Sequence, residues 1–312
     1  LILDEPFEQL DPASASEVIA LSRELARSGT TLIVATREAL LTPSEARTLY
    51  LDGGRIVDRI VSKEYAPRQS HAQSSEALLE MDHVDYSYPK GPGIHGISFQ
   101  VNSGRVLGLL GENGAGKSTI IKQTVGLLRP DSGVVRVCGF DTSNRTVQEL
   151  SRSVGMLFQN PADQIFNADV ISEVAWSLVA RGMRKDAARE SAGAVLEELG
   201  IAHLAGANPF EIPSSARQLV AFASILVTNP RLIVLDEPTK ALDIKSAETV
   251  LGAIERRLAQ GAGALIVTHD IAFIAHIADE CALMSDGEII GFGETSTILA
   301  DEVLMRRARL LP

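Results

Sequence analysis

The amino-acid sequence predicts an α/β protein built around a parallel sheet, with its ligand site at the carboxyl ends of the strands. Three observations predict it. From about residue 106 onward, short apolar runs of strand length alternate with segments of helical period. A G-x-x-x-x-G-K-S loop stands between one such strand and one such helix. A second apolar strand ends in two adjacent acids, Asp236 and Glu237, where open parallel sheets place their chemistry.

Taken in order, residues 1–61 open with a helix-period stretch (Val18, Leu21, Leu25) that passes through Gly29 into a strand-like run at 31–35. Asp52-Gly53-Gly54 then reads as a hairpin turn. Residues 62–75 combine Pro67 with Ser, Gln, His and Ala and show no apolar period, which reads as a linker. Residues 76–312 read as one complete module. Its β-rich opening (78–100) leads to a strand at 106–110, the Gly-rich loop, and a helix at 118–128 that Pro130 and Gly133 should stop. A helical middle, a strand at 232–235, a helix at 247–259, a strand at 264–267 and a helical tail complete the module.

The chain also repeats itself. Leu3-Asp4-Glu5-Pro6 returns as Leu235-Asp236-Glu237-Pro238, Asp11 aligns with Asp243, and Ile33-Val34-Ala35-Thr36-Arg37 aligns with Leu265-Ile266-Val267-Thr268-His269, all at one offset. A constant offset is the signature of internal duplication. Only the second copy carries a phosphate loop, so the first copy reads as starting at its second carboxylate motif. Leu1 stands in mid-motif without an initiator Met, and the expectation is a fragment of a longer tandem chain.

At 312 residues, 45% hydrophobic and 22% charged, the chain has enough apolar material for one full core and part of another. Its formal charge of −11 argues against a nucleic-acid partner, which calls for a basic face. Cys138 and Cys281 lie far apart within apolar runs, as reduced core thiols of a cytoplasmic protein do. No apolar run reaches the ~18 residues of a membrane span, because 219–235 is broken by Asn229, Pro230 and Arg231. Any membrane role is therefore expected to be peripheral.

The chemistry is concentrated in a few residues. In Gly111-Glu112-Asn113-Gly114-Ala115-Gly116-Lys117-Ser118 the glycines let backbone N–H groups converge on phosphate, and the helix start adds a favourable dipole. Lys117 reaches the outer phosphates and Ser118 supplies a Mg²⁺ ligand. Asp236 is the second expected Mg²⁺ ligand, and Glu237 is placed to polarise an attacking water. His269, at the end of the 264–267 strand, falls where a γ-phosphate contact is expected.

These motifs together resemble the ATP-binding-cassette (ABC) ATPases, and among them the tandem energy-coupling-factor ATPases of cobalt and vitamin importers. The resemblance implies a P-loop NTPase fold with a parallel sheet core, an antiparallel β subdomain and a helical subdomain. It implies ATP and Mg²⁺ as ligands, with Gly111, Asn113, Gly114, Gly116, Lys117, Ser118 and Thr119 as nucleotide contacts. Tyr88, in Tyr86-Ser87-Tyr88-Pro89, matches the aromatic that stacks on adenine, although without the family either tyrosine is equally an ordinary strand residue. Phe158-Gln159-Asn160-Pro161-Ala162-Asp163-Gln164 resembles the glutamine loop, so Gln159 would touch Mg²⁺ and the water, and 165–170 would face a membrane partner. The ending from Gly291-Phe292-Gly293-Glu294 through Leu310 also looks like this subgroup.

The function so implied is the ATP-hydrolysing subunit of a membrane importer, peripheral on the cytoplasmic side of the membrane. Its partners would be a transmembrane coupling protein, a substrate-capture membrane protein and a first-half ABC domain in the same full-length chain. A soluble tandem ATPase acting on the ribosome or DNA is the alternative, but it predicts a long basic linker, whereas 62–75 is short and the chain acidic. A degenerate, non-hydrolysing fragment is the third reading.

Two departures from the family pattern bear on that choice. Where the family carries Leu-Ser-Gly-Gly-Gln, this chain has Ile212-Pro213-Ser214-Ser215-Ala216. Pro213 removes a hydroxyl and an N–H, and two serines put side chains where backbone should approach phosphate; Pro-Ser-Ser is also a good helix start. Arg37 replaces the histidine aligned with His269. In the family each nucleotide lies between one module's phosphate loop and the other's signature, so both departures fall on one composite site. That site would hold nucleotide together with Glu5. The other site, with Lys117, Gln159, Asp236, Glu237, His269 and the first module's signature and Asp11, would hydrolyse it.

Overall fold

The computed structural model describes residues 1–7, 10, 12–36, 46–52, 55–57 and 74–311. Asp11, Arg37, Gly53, Gly54 and residues 62–73 of the expected linker lie outside the described residues.

The first part contains β1 (Ile2–Asp4), α1 (Pro12–Arg27), β2 (Ile33–Ala35), β3 (Tyr50–Asp52) and β4 (Arg55–Val57). Strands β1 and β2 are parallel, pairing Ile2 with Ile33, Leu3 with Val34 and Asp4 with Ala35. Strands β3 and β4 form an antiparallel pair in which Asp52 faces Arg55, in the register of the expected hairpin. Helix α1 buries Ala15, Ile19 and Ser22, with Val18 packed beside them, and leaves Leu21 exposed. The periodic apolar residues therefore do not all share the buried face, because three small or β-branched residues supply the stripe against Phe7 and Val34.

The second part begins with β5 (Ala77–Tyr86), β6 (Ile94–Asn102), β7 (Val106–Gly111), α2 (Lys117–Thr124), β8 (Ser132–Val137), β9 (Phe140–Asp141), α3 (Val147–Leu150) and β10 (Val154–Leu157). The helical middle is α4 (Val170–Ala180), α5 (Lys185–Glu198) and α6 (Ser214–Leu226). Then come β11 (Leu232–Asp236), α7 (Ile244–Ala259), β12 (Gly263–Val267), α8 (Ile271–Ile277), β13 (Glu280–Ser285), β14 (Glu288–Glu294), α9 (Thr295–Ala300) and α10 (Glu302–Arg307).

A six-stranded sheet in the order β10-β11-β12-β7-β13-β14 is the middle layer, parallel except for the last strand. Alternation along its strands sorts the side chains into two cores. Leu107, Leu109, Leu232, Val234, Leu265 and Val267 face α2 and the four-stranded antiparallel sheet β6-β5-β8-β9. Ile233, Leu235, Ala264 and Ile266 face the other way, onto the helices. The expected α/β class with parallel core, antiparallel β part and helical part is what forms. Glu198 receives a bidentate pair of hydrogen bonds from Arg257 (3.0 and 2.9 Å) and one from Arg256 (2.8 Å), which ties α5 to α7.

Helix α7 starts at Ile244, three residues before the expected 247, because the Asp243 side chain caps it by accepting from the Ser246 N–H at 2.7 Å. Helix α2 ends at Thr124, short of Pro130, because Gly126 takes φ 75° and donates to Gln123 O while Leu127 donates to Lys122 O. That double bond is a Schellman stop, which the left-handed glycine permits before proline is reached. Helix α6 starts at Ser214 directly after the extended Pro213, so Pro-Ser-Ser does serve as a helix start.

Candidate functional site

The carboxyl ends of β7, β11 and β12 lie side by side, so their loops share one cleft of about 250 Å³. From the loop after β7 it takes Asn113, Gly114, Gly116, Lys117, Ser118 and Thr119. Asp236 and Glu237 enter from β11, His269 from β12, Gln159 from the turn after β10, and Tyr88 from the β5–β6 connection. Every expected site residue is thus in the cleft except Gly111. A Cβ on Gly111 would stand 2.4 Å from Met284 O, so the close approach of β13 requires a glycine here.

The phosphate loop is shaped by Gly114 at φ 87° and Gly116 at φ 104°, and a Cβ on Gly116 would lie 2.6 Å from Ile94 Cγ2. Lys117 is buried, and its Nζ donates to the carbonyls of Gly111 and Glu112, each at 2.7 Å. Burial pulls the ammonium below its ordinary pKa, while the carboxylates of Glu237, Asp236 and Glu112 oppose that shift. The same burial pushes Asp236 up, against the pull of Lys117 and Lys240.

Glu237 is held most tightly. It sits at φ 51°, a left-handed conformation unusual for a side chain of this size, and its N–H donates to Val267 O at 2.7 Å. Thr268 Oγ1 donates to one carboxylate oxygen (2.8 Å) and the His269 N–H to the other (3.1 Å), with His269 Nε2 at 3.6 Å. Burial outweighs these donors and pushes the carboxyl up to about 7. Buried Gln218 braces the turn from beneath, donating to the carbonyls of Glu237 and Pro238 at 3.4 Å each. Sequence reasoning missed Gln218 and Thr268. A lone amide in the apolar face of α6, and a threonine adjoining His269 at a strand end, were the signals available.

Tyr88 lines the cleft with its hydroxyl 3.3 Å from Thr119 Oγ1 and its ring edge-on to Tyr86 (4.9 Å, 85°). Lys90, Gly91, Pro92 and Gly93 line it too and were not anticipated, although a Gly/Pro-rich turn next to an aromatic pair was visible. After Gln159, Gln164 fixes the loop by accepting from the Phe158 N–H (3.0 Å) and donating to Ala221 O (3.1 Å). The expected partner-facing stretch 165–170 is only partly exposed, because Ile165 and Val170 belong to the helix-side core. Phe166 is its exposed large apolar residue, edge-on to the half-exposed Trp176 at 5.3 Å. Buried Glu173 holds this turn, accepting from the N–H groups of Phe166 (3.0 Å) and Asn167 (2.7 Å).

Ile212-Pro213-Ser214-Ser215-Ala216 does not line the cleft. Arg217 closes the turn before it, donating to the carbonyls of Pro209 (2.9 Å), Phe210 (3.0 Å) and Ile212 (3.2 Å).

A family model described as ABC transporter matches residues 94–240, from β6 through the acid pair to Lys240. The energy-coupling factor transporter ATP-binding protein EcfA of Methanothermobacter thermautotrophicus is 33% identical over 236 residues, covering 75% of this chain and 76% of that relative. The chain belongs to the ABC transporter ATP-binding family. The chain is therefore an ABC ATPase. A putative ABC transporter ATP-binding protein of Caldanaerobacter subterraneus subsp. tengcongensis is 31% identical over 275 residues, 87% of this chain, and the chain spans 48% of that relative's length. The structure of cbiO1 from Clostridium perfringens, part of the ABC transporter complex cbiONQ, superposes with a TM-score of 0.66 at 28% identity, over 76% of this chain and 96% of that one. As an ABC ATPase the chain has, among its described residues, no helix long and apolar enough to cross a membrane.

Proposed function

We propose that this ABC ATPase hydrolyses Mg-ATP in the cleft at the ends of β7, β11 and β12, and that it powers a membrane importer of the energy-coupling-factor type. The observation that carries the hydrolytic reading is the meeting of Lys117, Asp236, Glu237 and His269 in one cleft. Lys117 takes the outer phosphates from a loop whose N–H groups converge there. Glu237, with a carboxyl near 7 and both oxygens oriented by Thr268 and His269, is poised to take a proton from water.

The donor set fits Mg²⁺ in company with nucleotide. Among the described residues no group of three or more His, Cys, Asp or Glu is placed to hold a metal alone, so Ser118, Asp236 and Gln159 would need phosphate oxygens beside them. Mg²⁺ when bound neutralises charge developing on the phosphates.

We further read residues 1–61 as the end of a first ABC domain, 62–75 as a linker and 76–312 as the second domain. The equal register of β1–β2 and β11–β12 supports this, as does the 16-residue length shared by α1 and α7. In this reading one composite site holds nucleotide and the other, with Glu237, turns it over. The names of the EcfA and cbiO1 relatives support a transmembrane coupling protein and a substrate-capture protein as partners, and a peripheral place on the cytoplasmic face of the membrane.

Binding and steady-state ATPase assays test the site. In the full-length protein Lys117→Ala is expected to abolish tight Mg-ATP binding at this site, whereas Glu237→Gln binds but turns over roughly 10²–10⁴ more slowly. Unchanged turnover in the Gln variant would remove Glu237 from its role. Uptake into vesicles carrying the full assembly, lost with Glu237→Gln, tests the importer.

A further inference from the structure

The end of α10 carries a residue that its backbone does not favour. Arg309 has φ 54°, and it follows the helix at the position where a left-handed glycine usually stands. The stop is a complete Schellman motif. Arg309 N–H donates to Arg306 O (3.0 Å), Leu310 N–H donates to Met305 O (2.9 Å), and Met305 and Leu310 are both buried in the core. Glycine would make the same turn with less strain. What arginine adds is its side chain, whose Nη1 donates to Glu112 Oε2 at 2.7 Å.

Glu112 is the second residue of the phosphate loop, and its side chain is only 11% exposed. Its own carbonyl accepts from Lys117 Nζ, so the residue that carries this charge also anchors the phosphate-binding lysine. A carboxylate so close to the loop repels any polyanion that enters, unless a cation offsets it. Arg309 is held in place to do so by a helix end fixed in the core.

We propose that Arg309 is a positioning residue of the nucleotide site: its guanidinium neutralises Glu112 and fixes it away from the incoming phosphates, so that the state of the C-terminal helix sets nucleotide affinity. This rests on the reading of the cleft as the ATP site. It makes α10 part of the binding apparatus, although α10 does not line the cleft.

Arg309→Gly separates charge from folding, because glycine suits the left-handed turn. The variant is expected to melt no lower than the native chain, yet to bind Mg-ATP roughly three- to tenfold more weakly at low ionic strength, with the difference shrinking as salt screens the pair. Adding Glu112→Gln to Arg309→Gly is expected to return affinity to near the native value. Native affinity in Arg309→Gly, a loss that salt does not reduce, or a loss that Glu112→Gln does not repair would overturn the proposal. Lys117→Ala, measured beside them by calorimetric titration with Mg-ATP, tests the ATP-site reading separately. If it binds like the native chain, or if the native chain shows no binding, that reading fails and this proposal falls with it. If Lys117→Ala loses binding and Arg309→Gly does not, only this proposal fails.

Discussion

Glu5 and Glu237 adopt the same left-handed backbone conformation, φ 43° and 51°, and each donates its N–H to the last carbonyl of the neighbouring parallel strand, Ala35 at 2.8 Å and Val267 at 2.7 Å. A bulky residue is rarely held there once, and the strain is usually found at functional sites. Its recurrence at the aligned position gives the two aligned segments the same strand-end geometry. Gly29 and Gly261 repeat in the same way at φ 93° and 91°.

The burial of Glu237 predicts a pH-dependent cost to the nucleotide-free protein. Its carboxyl titrates near 7 when folded against 4.5 when exposed. Below the lower value both states are protonated and no cost arises. As pH rises from about 4.5 to 7 the unfolded chain ionises first, so stability falls across that window and stays lower above it. Glu237→Gln removes the ionisation. In EDTA without nucleotide it is expected to exceed the native chain in stability by on the order of 2 kcal/mol at pH 8, and by nearly nothing at pH 4.5, in paired thermal melts. An equal advantage at both pH values would show that burial of charge is not the cause.

Altering Ile212–Ala216 towards the family pattern gives a second expectation. Pro213→Ser with Ser214→Gly and Ser215→Gly supplies the hydroxyl and open backbone that a nucleotide held by a second copy of this module would meet. Two charge-assisted hydrogen bonds, at about 1.5–3 kcal/mol each, correspond to ~10² to 10⁴ in turnover. The native 312-residue chain is therefore expected to hydrolyse ATP very slowly and the triple variant much faster, at some loss of helix stability from glycine in the first turn of α6. Robust ATPase activity from the unaltered chain would sink the argument.

The two composite sites are expected to respond unequally. In the full-length protein His269→Ala should remove most turnover, since its ring lines the cleft with Nε2 3.6 Å from the Glu237 carboxylate. Arg37→His should change turnover little, because the site it is assigned to is limited by Ile212–Ala216. A many-fold rise in the Arg37 variant would contradict that assignment.

Glu173 gives a stability prediction. Glu173 Oε2 accepts from the backbone N–H groups of Phe166 and Asn167 and from Asn167 Nδ2 (2.9 Å), all around a buried side chain. Glu173→Ala leaves those donors without their acceptor and is expected to cost about 2 kcal/mol or more. Hydrogen exchange should show the 166–167 amides losing protection first. Native protection there would mean that the turn is held by the burial of Ile165 and Val170.

The class of the fold, the phosphate loop, the acid pair and the histidine were all legible along the chain, because each depends on local order. A strand has a period, a phosphate loop has a spacing, and an acid after an apolar strand marks the sheet's carboxyl edge. The two aligned segments were legible for the same reason, as equal residues at equal intervals. Helix ends were less so, since Gly126 and Pro130 both stop a helix and only the hydrogen bonds of the formed turn choose between them. Tertiary structure alone decided what lies far apart in sequence and close in space. It brought Gln218 beneath Glu237, gave Gly111 a packing role against Met284, buried Ile165 and Val170 while exposing Phe166, and carried Arg309 across to Glu112. None of these leaves a local signature, because a side chain's partner across the sheet is set by how layers stack and not by its neighbours along the chain.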